Sequence, residues 1–147
     1  MRMIGWAALA AASVTGVAAQ AQDDLDATIV RTDYGIPHVT ADSWEGIGYG
    51  VAYAYAQDNL CLLAEEFATV RGERSMYFGP EGKVLHGSQE VDNLSSDVFM
   101  RSVIDLPRLR AGASAQGPEA NQLAAGYVAG YNRFLRDAGT DGIPAEC

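Results

Sequence analysis

The sequence predicts an α+β fold that is mostly helical and begins with a β-hairpin. Three segments support this prediction. Residues 27–40 combine β-branched residues with a turn, which is typical of a hairpin. Residues 42–79 hold the longest apolar run outside the N-terminus, and residues 116–137 repeat apolar side chains at intervals of four. Both patterns are typical of helices.

Residues 1–21 have the pattern of an export signal. Arg2 supplies a positive start, residues 4–19 carry no charge, and the segment ends on Ala-Gln-Ala, the small-x-small pattern of a signal peptidase site. We expect cleavage after Ala21, so the mature chain begins at Gln22 and works in the periplasm or outside the cell. The alternative is a membrane anchor, but the stretch is short and interrupted by small and polar residues.

The mature chain is acidic. Removing Arg2 leaves nine basic residues against nineteen acidic ones, a net charge of −10. This charge argues against nucleic acid and anionic membrane surfaces as partners. The acids are scattered, which is typical of a solvated surface. The sequence therefore predicts no metal site and no cofactor.

Residues 27–40, ATIVRTDYGIPHVT, predict the β-hairpin. Residues 28–30 have strand propensity and residues 33–35 supply the turn. Pro37 biases its neighbour toward an extended conformation and suits an edge strand, because it has no amide to donate. His38 has no second ligand at suitable spacing, so a structural hydrogen bond is the favoured interpretation over a base or a metal ligand.

Residues 42–79 predict the central helix. Asp42, followed three residues later by Glu45, indicates a capping box in which each residue satisfies an amide of the first turn. A helix of about 28 residues would be roughly 42 Å long. Its apolar residues recur at intervals of four and three and share one face: Tyr49, Tyr53, Ala56, Leu60, Leu63, Phe67 and Val70.

The opposite face of the front half of this helix is also apolar, so we expect the front half to be buried on every side. We expect only the back half to meet water, through Glu65, Glu66, Arg71, Glu73 and Arg74. A short chain supplies too little surface to cover so long an apolar helix. The sequence therefore predicts one part of a larger assembly.

The rest of the chain predicts a loop and two helices. Residues 79–96 are rich in turn residues, and residues 97–109 predict a short helix broken by Pro107. Residues 116–137 predict a better helix, with a proline in its first turn and Gly139 as its stop. Its apolar stripe is expected to pack against the central helix and consists of Leu123, Tyr127, Tyr131 and Leu135.

Two cysteines, Cys61 and Cys147, occur in this exported chain. An even number of cysteines in an oxidising compartment favours a disulfide. In the chain-entropy model, a bridge that closes a loop of this size contributes about 4 to 5 kcal/mol. The alternative is a buried, small Cys61 and a free Cys147, because sequence does not show whether the two Cα atoms approach within about 7 Å.

Several motifs occur in the order and spacing of a known family. They are V-R-T-D-Y-G-I-P-H-V at residues 30–39, G-Y-G-V-A-Y-A-Y-A-Q-D-N-L at residues 48–60, and R-G-E-R at residues 71–74, followed by F-G. Over residues 27–135 the chain resembles the α-chain opening of the penicillin acylase family of N-terminal nucleophile hydrolases. Cys-Leu-Leu-Ala-Glu-Glu at residues 61–66 is most similar to the branch of acyl-homoserine-lactone and aculeacin A acylases.

This resemblance implies an αββα sandwich made from two chains that are cut from one inactive precursor. The nucleophile is then the serine that begins the β chain, its own α-amine is the base, and β-chain donors hold the oxyanion. Residues 22–147 would be the incomplete N-terminal portion of the α chain, with no catalytic residue of its own. The expected partner is the β chain of the same precursor.

The implied activity is that of an amide-bond hydrolase acting on C–N bonds other than peptide bonds. The substrate would be a small N-acylated molecule such as an acyl-homoserine lactone, a lipopeptide or a β-lactam, so the enzyme would serve quorum quenching or antibiotic metabolism. Related acylases bring a tyrosine of the Gly-Tyr-Gly stretch near the substrate cleft. Tyr49 is therefore the substrate-cleft candidate, with core packing as the alternative.

One local serine resembles a processing site. His86-Gly87-Ser88 contains a Gly-Ser bond, but it lies among turn residues inside the family-like region. We therefore expect Ser88 to be a loop residue and His86 to be a surface residue rather than a base.

A second interpretation comes from a different class of protein. The chain would be a free-standing secreted binding or inhibitor module, built on the same scaffold and without catalysis. A coding frame that continues past residue 147 with Gly-Ser-Asn would separate the two interpretations.

Overall fold

The computed structural model describes residues 25–144 and Cys147. The predicted export signal and its cleavage site lie outside these residues. The order of elements is β1 (Thr28–Arg31), β2 (Pro37–Thr40), α1 (Trp44–Val70), α2 (Arg74–Phe78), β3 (Lys83–His86), β4 (Gln89–Asp92), α3 (Asn93–Val103), α4 (Leu106–Ser114) and α5 (Pro118–Ala138). The chain is thus mostly helical with an N-terminal antiparallel strand pair, as predicted.

The N-terminal hairpin is confirmed. β1 and β2 pair antiparallel, with Arg31 opposite Pro37 at the turn end. The Arg31 guanidinium donates to the carbonyl of Gly35 at 2.8 Å, to Asp58 at 2.9 Å and to Gln57 at 3.0 Å. One side chain thereby joins the hairpin turn to the middle of α1.

The predicted capping box at the start of α1 is wrong. Ser43, in an extended conformation, is the cap, and its hydroxyl accepts the backbone N–H of Gly46 at 3.0 Å. Asp42 lies one residue too early to take that role. Serine and aspartate are about equally good caps, so the position of the backbone turn decides between them.

The central helix spans 27 residues, close to the predicted length, but it is not continuous. Asn59 has φ −139° and ψ 34°, which breaks the helical conformation. The break follows Gln57 and Asp58, the two residues of α1 whose side chains bind Arg31. The apolar periodicity of the sequence gives no sign of this break.

The expectation that the front half of α1 is buried on every side is wrong. Val51 and Tyr55 are 43% and 40% exposed. Tyr49 and Tyr53 are half-buried at the edges of the helix contact, while Phe67 and Val70 near the C-terminus are exposed. The residues that are buried in the front half are the small ones: Gly46, Gly48, Gly50, Ala52, Ala54 and Ala56.

Close packing of α1 against α5 explains this pattern. A methyl group at Gly48 would overlap the backbone of α5, and one at Gly126 or Gly130 would overlap the backbone of α1. The helices therefore meet along small residues, and the aromatic rings flank the contact. Tyr53 meets Phe134 edge to face with ring centroids 5.6 Å apart. The predicted packing of the two helices is confirmed.

The predicted loop at residues 79–96 is wrong. This segment contains the hairpin of β3 and β4 and the first turn of α3. Its strands have only four residues each, and the surrounding turn residues dominate the sequence pattern. α3 begins where the Asp92 carboxylate accepts the N–H of Ser95 at 2.8 Å.

The single broken helix predicted over residues 97–109 is also wrong. α3 ends at Val103, and α4 starts at Leu106 with Asp105 as its cap. Pro107 lies in the first turn of α4, where its missing N–H costs no helical hydrogen bond. Proline therefore marks the start of a helix here instead of a break. Within residues 25–144, none of the helices is both long and apolar enough to cross a membrane.

Candidate functional site

Tyr49, the predicted substrate-cleft residue, lies where α1 and α5 cross. Its carbonyl oxygen faces Gly130 on α5. Its side chain is half-buried. The geometry gives Tyr49 a packing role between the helices, and it leaves part of the ring accessible.

A polar cluster lies beside Tyr49. The Tyr53 hydroxyl donates to Asp137 at 3.2 Å, and Arg133 Nε donates to the same carboxylate at 2.9 Å. Burial and the hydrogen bond to Asp137 raise the pKa of Tyr53. The hydrogen bond from Arg133 lowers the pKa of Asp137, and the same bond raises the pKa of Arg133.

These shifts fix the charges of the cluster at neutral pH. Tyr53 stays neutral, Asp137 stays ionised and Arg133 stays positive. None of the three exchanges a proton near pH 7, so the cluster is unsuited to general acid–base catalysis. It joins α1 to α5 by a charge-assisted hydrogen bond.

The two cysteines form a disulfide in the structure, with Cα atoms 4.9 Å apart. The bridge ties Cys147 to the second half of α1. An open cavity of about 460 Å³ adjoins it, walled by the rings of Phe67 and Tyr131 and rimmed by the ion pair of Arg71 and Glu73 at 3.0 Å. The disulfide leaves neither cysteine as a thiol nucleophile.

Arg74 was expected to meet water, and this expectation is wrong. Arg74 is 6% exposed. Its guanidinium donates to Asn93 at 3.0 Å and to the Thr69 hydroxyl at 3.0 Å, and it lies 3.4 Å from Glu65. It also covers the ring of Phe78, 4.9 Å from the centroid. Arg74 thus fastens the end of α1 to α2 and α3.

Asp97 completes this network and also escaped the sequence analysis. Its carboxylate accepts the backbone N–H groups of Arg74 and Ser75, both at 2.8 Å, and the Ser75 hydroxyl. Asp97 therefore caps α2 from a distant part of the chain. Burial works against its ionisation, but the hydrogen bonds from Ser75 and Arg74 outweigh burial and lower the pKa of Asp97.

The two histidines lie in different environments. His38 is exposed on β2, and its side chain makes no hydrogen bond to any residue that the structure describes, so the favoured structural hydrogen bond stays a prediction. His86 is half-buried, with Nε2 2.8 Å from the Ser96 hydroxyl. Ser96 is only 1% exposed, so its hydroxyl has no access to a substrate. Ser88 lies in the β3–β4 turn, as predicted.

No group of three or more histidine, cysteine or carboxylate side chains gathers as a metal site within residues 25–144. The buried polar groups of this part of the chain are engaged in holding helices together. The described residues provide a partly accessible side chain at Tyr49, a cavity walled by Phe67 and Tyr131, and a helical scaffold.

Comparison with known proteins identifies the family. The family model described as penicillin amidase matches residues 26–147. The chain belongs to this family. The family resemblance that the motifs at residues 30–39 and 48–60 indicate is thereby confirmed.

The relatives support the same branch as the motifs. An acyl-homoserine lactone acylase, PvdQ, from Pseudomonas putida is 48% identical over 148 residues, which cover all of this chain and 19% of that protein. Aculeacin-A acylase from Actinoplanes utahensis is 36% identical over 119 residues, covering 77% of this chain and 14% of that protein. The chain therefore spans less than a fifth of the length of these relatives.

A solved structure shows the fold relationship. The thermostable penicillin G acylase from Alcaligenes faecalis matches with a TM-score of 0.69 and 28% identity, over 82% of this chain and 60% of that one. The fold is therefore that of a penicillin acylase, an N-terminal nucleophile hydrolase, as predicted.

Proposed function

We propose that residues 22–147 are the N-terminal, α-chain part of an exported acylase that hydrolyses the amide bond of a small N-acylated molecule. The observation that carries this proposal is the 48% identity to an acyl-homoserine lactone acylase across the whole of this chain. Acyl-homoserine lactones are accordingly the first substrate class to test. Lipopeptides follow, because aculeacin-A acylase is the next relative.

In this proposal the chain supplies scaffold and part of the cleft wall, and a β chain supplies the chemistry. The β chain begins with the nucleophilic serine, whose α-amine removes the proton from its own hydroxyl. Backbone or side-chain donors of the β chain then stabilise the tetrahedral oxyanion. The half-buried tyrosine edge at Tyr49 is the contribution that we assign to this chain.

The hydrogen bonds of the buried polar side chains support this assignment of scaffold to this chain and chemistry to the β chain. The buried Ser96 hydroxyl is hydrogen-bonded to His86, and the buried Arg74 and Asp97 side chains are hydrogen-bonded between helices. The Tyr53–Asp137–Arg133 cluster has no group that titrates near neutral pH.

Export also belongs to the proposal. A signal peptide at residues 1–21 would deliver the chain to an oxidising compartment. Disulfides persist there and are rare in the cytosol, so the bridge between Cys61 and Cys147 supports this localisation.

The test begins with the coding sequence beyond Cys147. The longest frame is expressed, and the products are measured by intact mass and N-terminal sequencing. We expect two chains, of which the smaller begins at Gln22. Purified protein should then release homoserine lactone from acyl-homoserine lactones of several chain lengths, detected by mass spectrometry.

The matched control replaces the first residue of the second chain by alanine, which should abolish self-cleavage and hydrolysis together. A frame that ends at Cys147, with the purified 126-residue chain folding as a monomer, would contradict the proposal. That outcome would favour the free-standing secreted module, for which the relatives supply no support.

A further inference from the structure

The first half of α1 runs in the same direction as α5. Gly126 of α5 lies against the carbonyl of Glu45. Gly130, about one turn further along α5, lies against the carbonyl of Tyr49, which is about one turn further along α1. The two helices therefore advance together up to this crossing.

The second half of α1 turns back. If α1 were straight, Phe67 would lie about 27 Å beyond Tyr49 along the helix axis. The ring of Phe67 instead meets Tyr131, the neighbour of Gly130, with ring centroids 5.3 Å apart. α1 therefore bends sharply at Asn59, where its helical conformation breaks.

Side chains on both sides of the bend hold its shape without help from the disulfide. Before the bend, the guanidinium of Arg31 donates to Gln57 at 3.0 Å and to Asp58 at 2.9 Å. After the bend, the buried guanidinium of Arg74 donates to the hydroxyl of Thr69 at 3.0 Å. Breaking the bridge would leave all of these contacts in place.

A short segment that follows α5 lies over the bend. It consists of residues 139–144 and Cys147, and we call it the fastened segment. Its Gly142 and Pro144 line an open cavity of about 290 Å³ together with residues 56–62 of α1. Cys147 carries the disulfide to α1.

The disulfide is the strong tie between the fastened segment and α1. Every residue of the segment is exposed. The N–H groups of Gly139 and Gly142 donate to carbonyls in the last turn of α5, and the N–H of Cys147 donates to the carbonyl of Pro144. Among the residues that the structure describes, no hydrogen bond or salt bridge joins the segment to α1.

The bridge is also open to thiols in solution. Cys147 is exposed, and both cysteines line the open cavity of about 460 Å³ that Phe67 and Tyr131 wall. Exposed disulfides are reduced more readily than buried structural ones, and regulatory disulfides belong to this exposed class.

We propose that the bridge between Cys61 and Cys147 is a redox-sensitive switch. The oxidised bridge fastens the segment over the bend of α1, and reduction releases the segment and uncovers residues 56–62. Because Arg31 and Arg74 hold the two sides of the bend, the rest of the chain keeps its structure. The chain-entropy contribution of the bridge acts on the unfolded state and does not alter this expectation for the native one.

The reductant is a low-molecular-weight thiol such as glutathione. Its thiolate attacks Cys147 Sγ, the bond between the two cysteines breaks, and Cys61 Sγ leaves with the electron pair and takes up a proton. A second thiolate attacks the mixed disulfide and releases Cys147, which also takes up a proton. Two reductant thiols thus become one disulfide, and the protein disulfide becomes two thiols.

The compartment sets the state of this switch. Thiols stay reduced in the cytosol, and disulfides persist in oxidising compartments. The segment is therefore free before export and fastened after it. This timing rests on the proposed export, whereas the switch itself is a property of the purified protein.

The first measurement is reduction of the native protein. Oxidised full-length protein is incubated with millimolar glutathione without denaturant, quenched with iodoacetamide and digested. Mass spectrometry should find Cys61 and Cys147 alkylated, while the circular dichroism spectrum stays that of the oxidised protein. If the two cysteines react only when urea is added, the bridge is purely structural and the inference is overturned.

The second measurement locates the released segment by hydrogen–deuterium exchange. Oxidised protein and protein in glutathione are labelled for times too short for the crossing of α1 and α5 to exchange. We expect exchange to become about tenfold faster or more in peptides that cover residues 56–62 and 139–147, because local release exposes their amides. The hairpin of β1 and β2 should exchange at an unchanged rate.

The matched control is the double substitution Cys61→Ser and Cys147→Ser. It should exchange as the reduced wild type does, with or without glutathione. Should this variant not accumulate, reoxidation of the reduced wild type with oxidised glutathione replaces it and should restore slow exchange. Faster exchange throughout the chain, unchanged exchange over residues 139–147, or a response of the double variant to glutathione overturns the inference.

The switch and the proposed function fail in different ways. If the protein is not exported, the timing fails, but glutathione still releases the segment of the purified protein. If the protein gives two chains and hydrolyses its substrate while the bridge resists glutathione, the proposed function stands and the switch is wrong.

Discussion

Gly130 of α5 lies directly against the carbonyl oxygen of Tyr49 on α1. A methyl group at position 130 would overlap that oxygen, and one at Gly126 would overlap the carbonyl of Glu45. Both contacts are with backbone, so no side chain can move aside to relieve them. The crossing of the two longest helices therefore depends on glycine at these positions.

The first prediction concerns this crossing. Gly130→Ala should destabilise the protein by about 3 kcal/mol or more, because overpacking against backbone forces the helices apart. The matched control is Gly112→Ala on α4, where the added methyl group would have no atom within 4 Å other than those of its chain neighbours and its own helix backbone. The control should be neutral or up to about 1 kcal/mol more stable, because alanine favours helix. Urea unfolding of both variants measures the difference, and equal stabilities would contradict the close crossing.

The second prediction concerns Tyr53. Tyr53→Asp should destabilise the fold by about 2 to 4 kcal/mol, because it places a second carboxylate beside Asp137 and removes the ring contact with Phe134. Tyr53→Phe keeps the ring and loses only the hydroxyl, so its cost should be about 1 kcal/mol. Soluble yield and thermal unfolding measure both variants.

The control for this pair is Tyr34→Asp, because Tyr34 is 93% exposed in the hairpin turn. It should unfold as the wild type does. If the Tyr53→Asp protein is protease-resistant and is obtained at wild-type yield, the packing of Tyr53 contributes little to the stability of the fold.

Local patterns predicted the elements that carry their own signals. The hairpin was predictable because Thr28 to Val30, the turn and Pro37 all agree, and the start of α5 was predictable from Pro118. The family motifs at residues 30–39 and 48–60 further indicated the fold, and residues 61–66 indicated the acylase branch. These predictions rest on residues that are close together in sequence.

Features that depend on distant partners were missed. Arg74 reads as a surface charge, and only the fold brings it to Asn93, which lies 19 residues away. Asp97 caps α2 although it lies 22 residues after Ser75 and 23 residues after Arg74 in the sequence. Tyr49 and Tyr53 were expected in the core but are half-buried. A periodic pattern does not show how closely two helix backbones approach each other at glycine.

The third prediction concerns the Asp97 carboxylate. Its pKa is lower in the folded state, so its ionisation stabilises the fold above the unfolded pKa of about 3.9. This contribution should be lost as the pH falls from about 5 through the native pKa. Asp97→Asn should cost about 2 kcal/mol or more at pH 7, because it weakens the charge-assisted bonds to Arg74 and Ser75.

The measurement is urea unfolding of wild type and Asp97→Asn between pH 7 and pH 3. The difference in the free energy of unfolding should shrink as the pH falls. Protonation neutralises Asp97 in the wild type, whereas the asparagine of the variant is neutral at every pH. A difference that stays constant over this range would mean that the negative charge of Asp97 is not what stabilises α2.

The last prediction concerns the disulfide between Cys61 and Cys147. The bridge spans 86 residues of sequence, and in the chain-entropy model such a loop stabilises the fold by about 4 to 5 kcal/mol. Cys61→Ala, Cys147→Ala and the double variant should therefore lose similar amounts, since any one change removes the whole cross-link. Thermal unfolding with and without a thiol reductant measures this loss. Reductant should lower the melting temperature of the wild type and leave the double variant unchanged, whereas an additive loss in the double variant would assign the effect to packing at each cysteine.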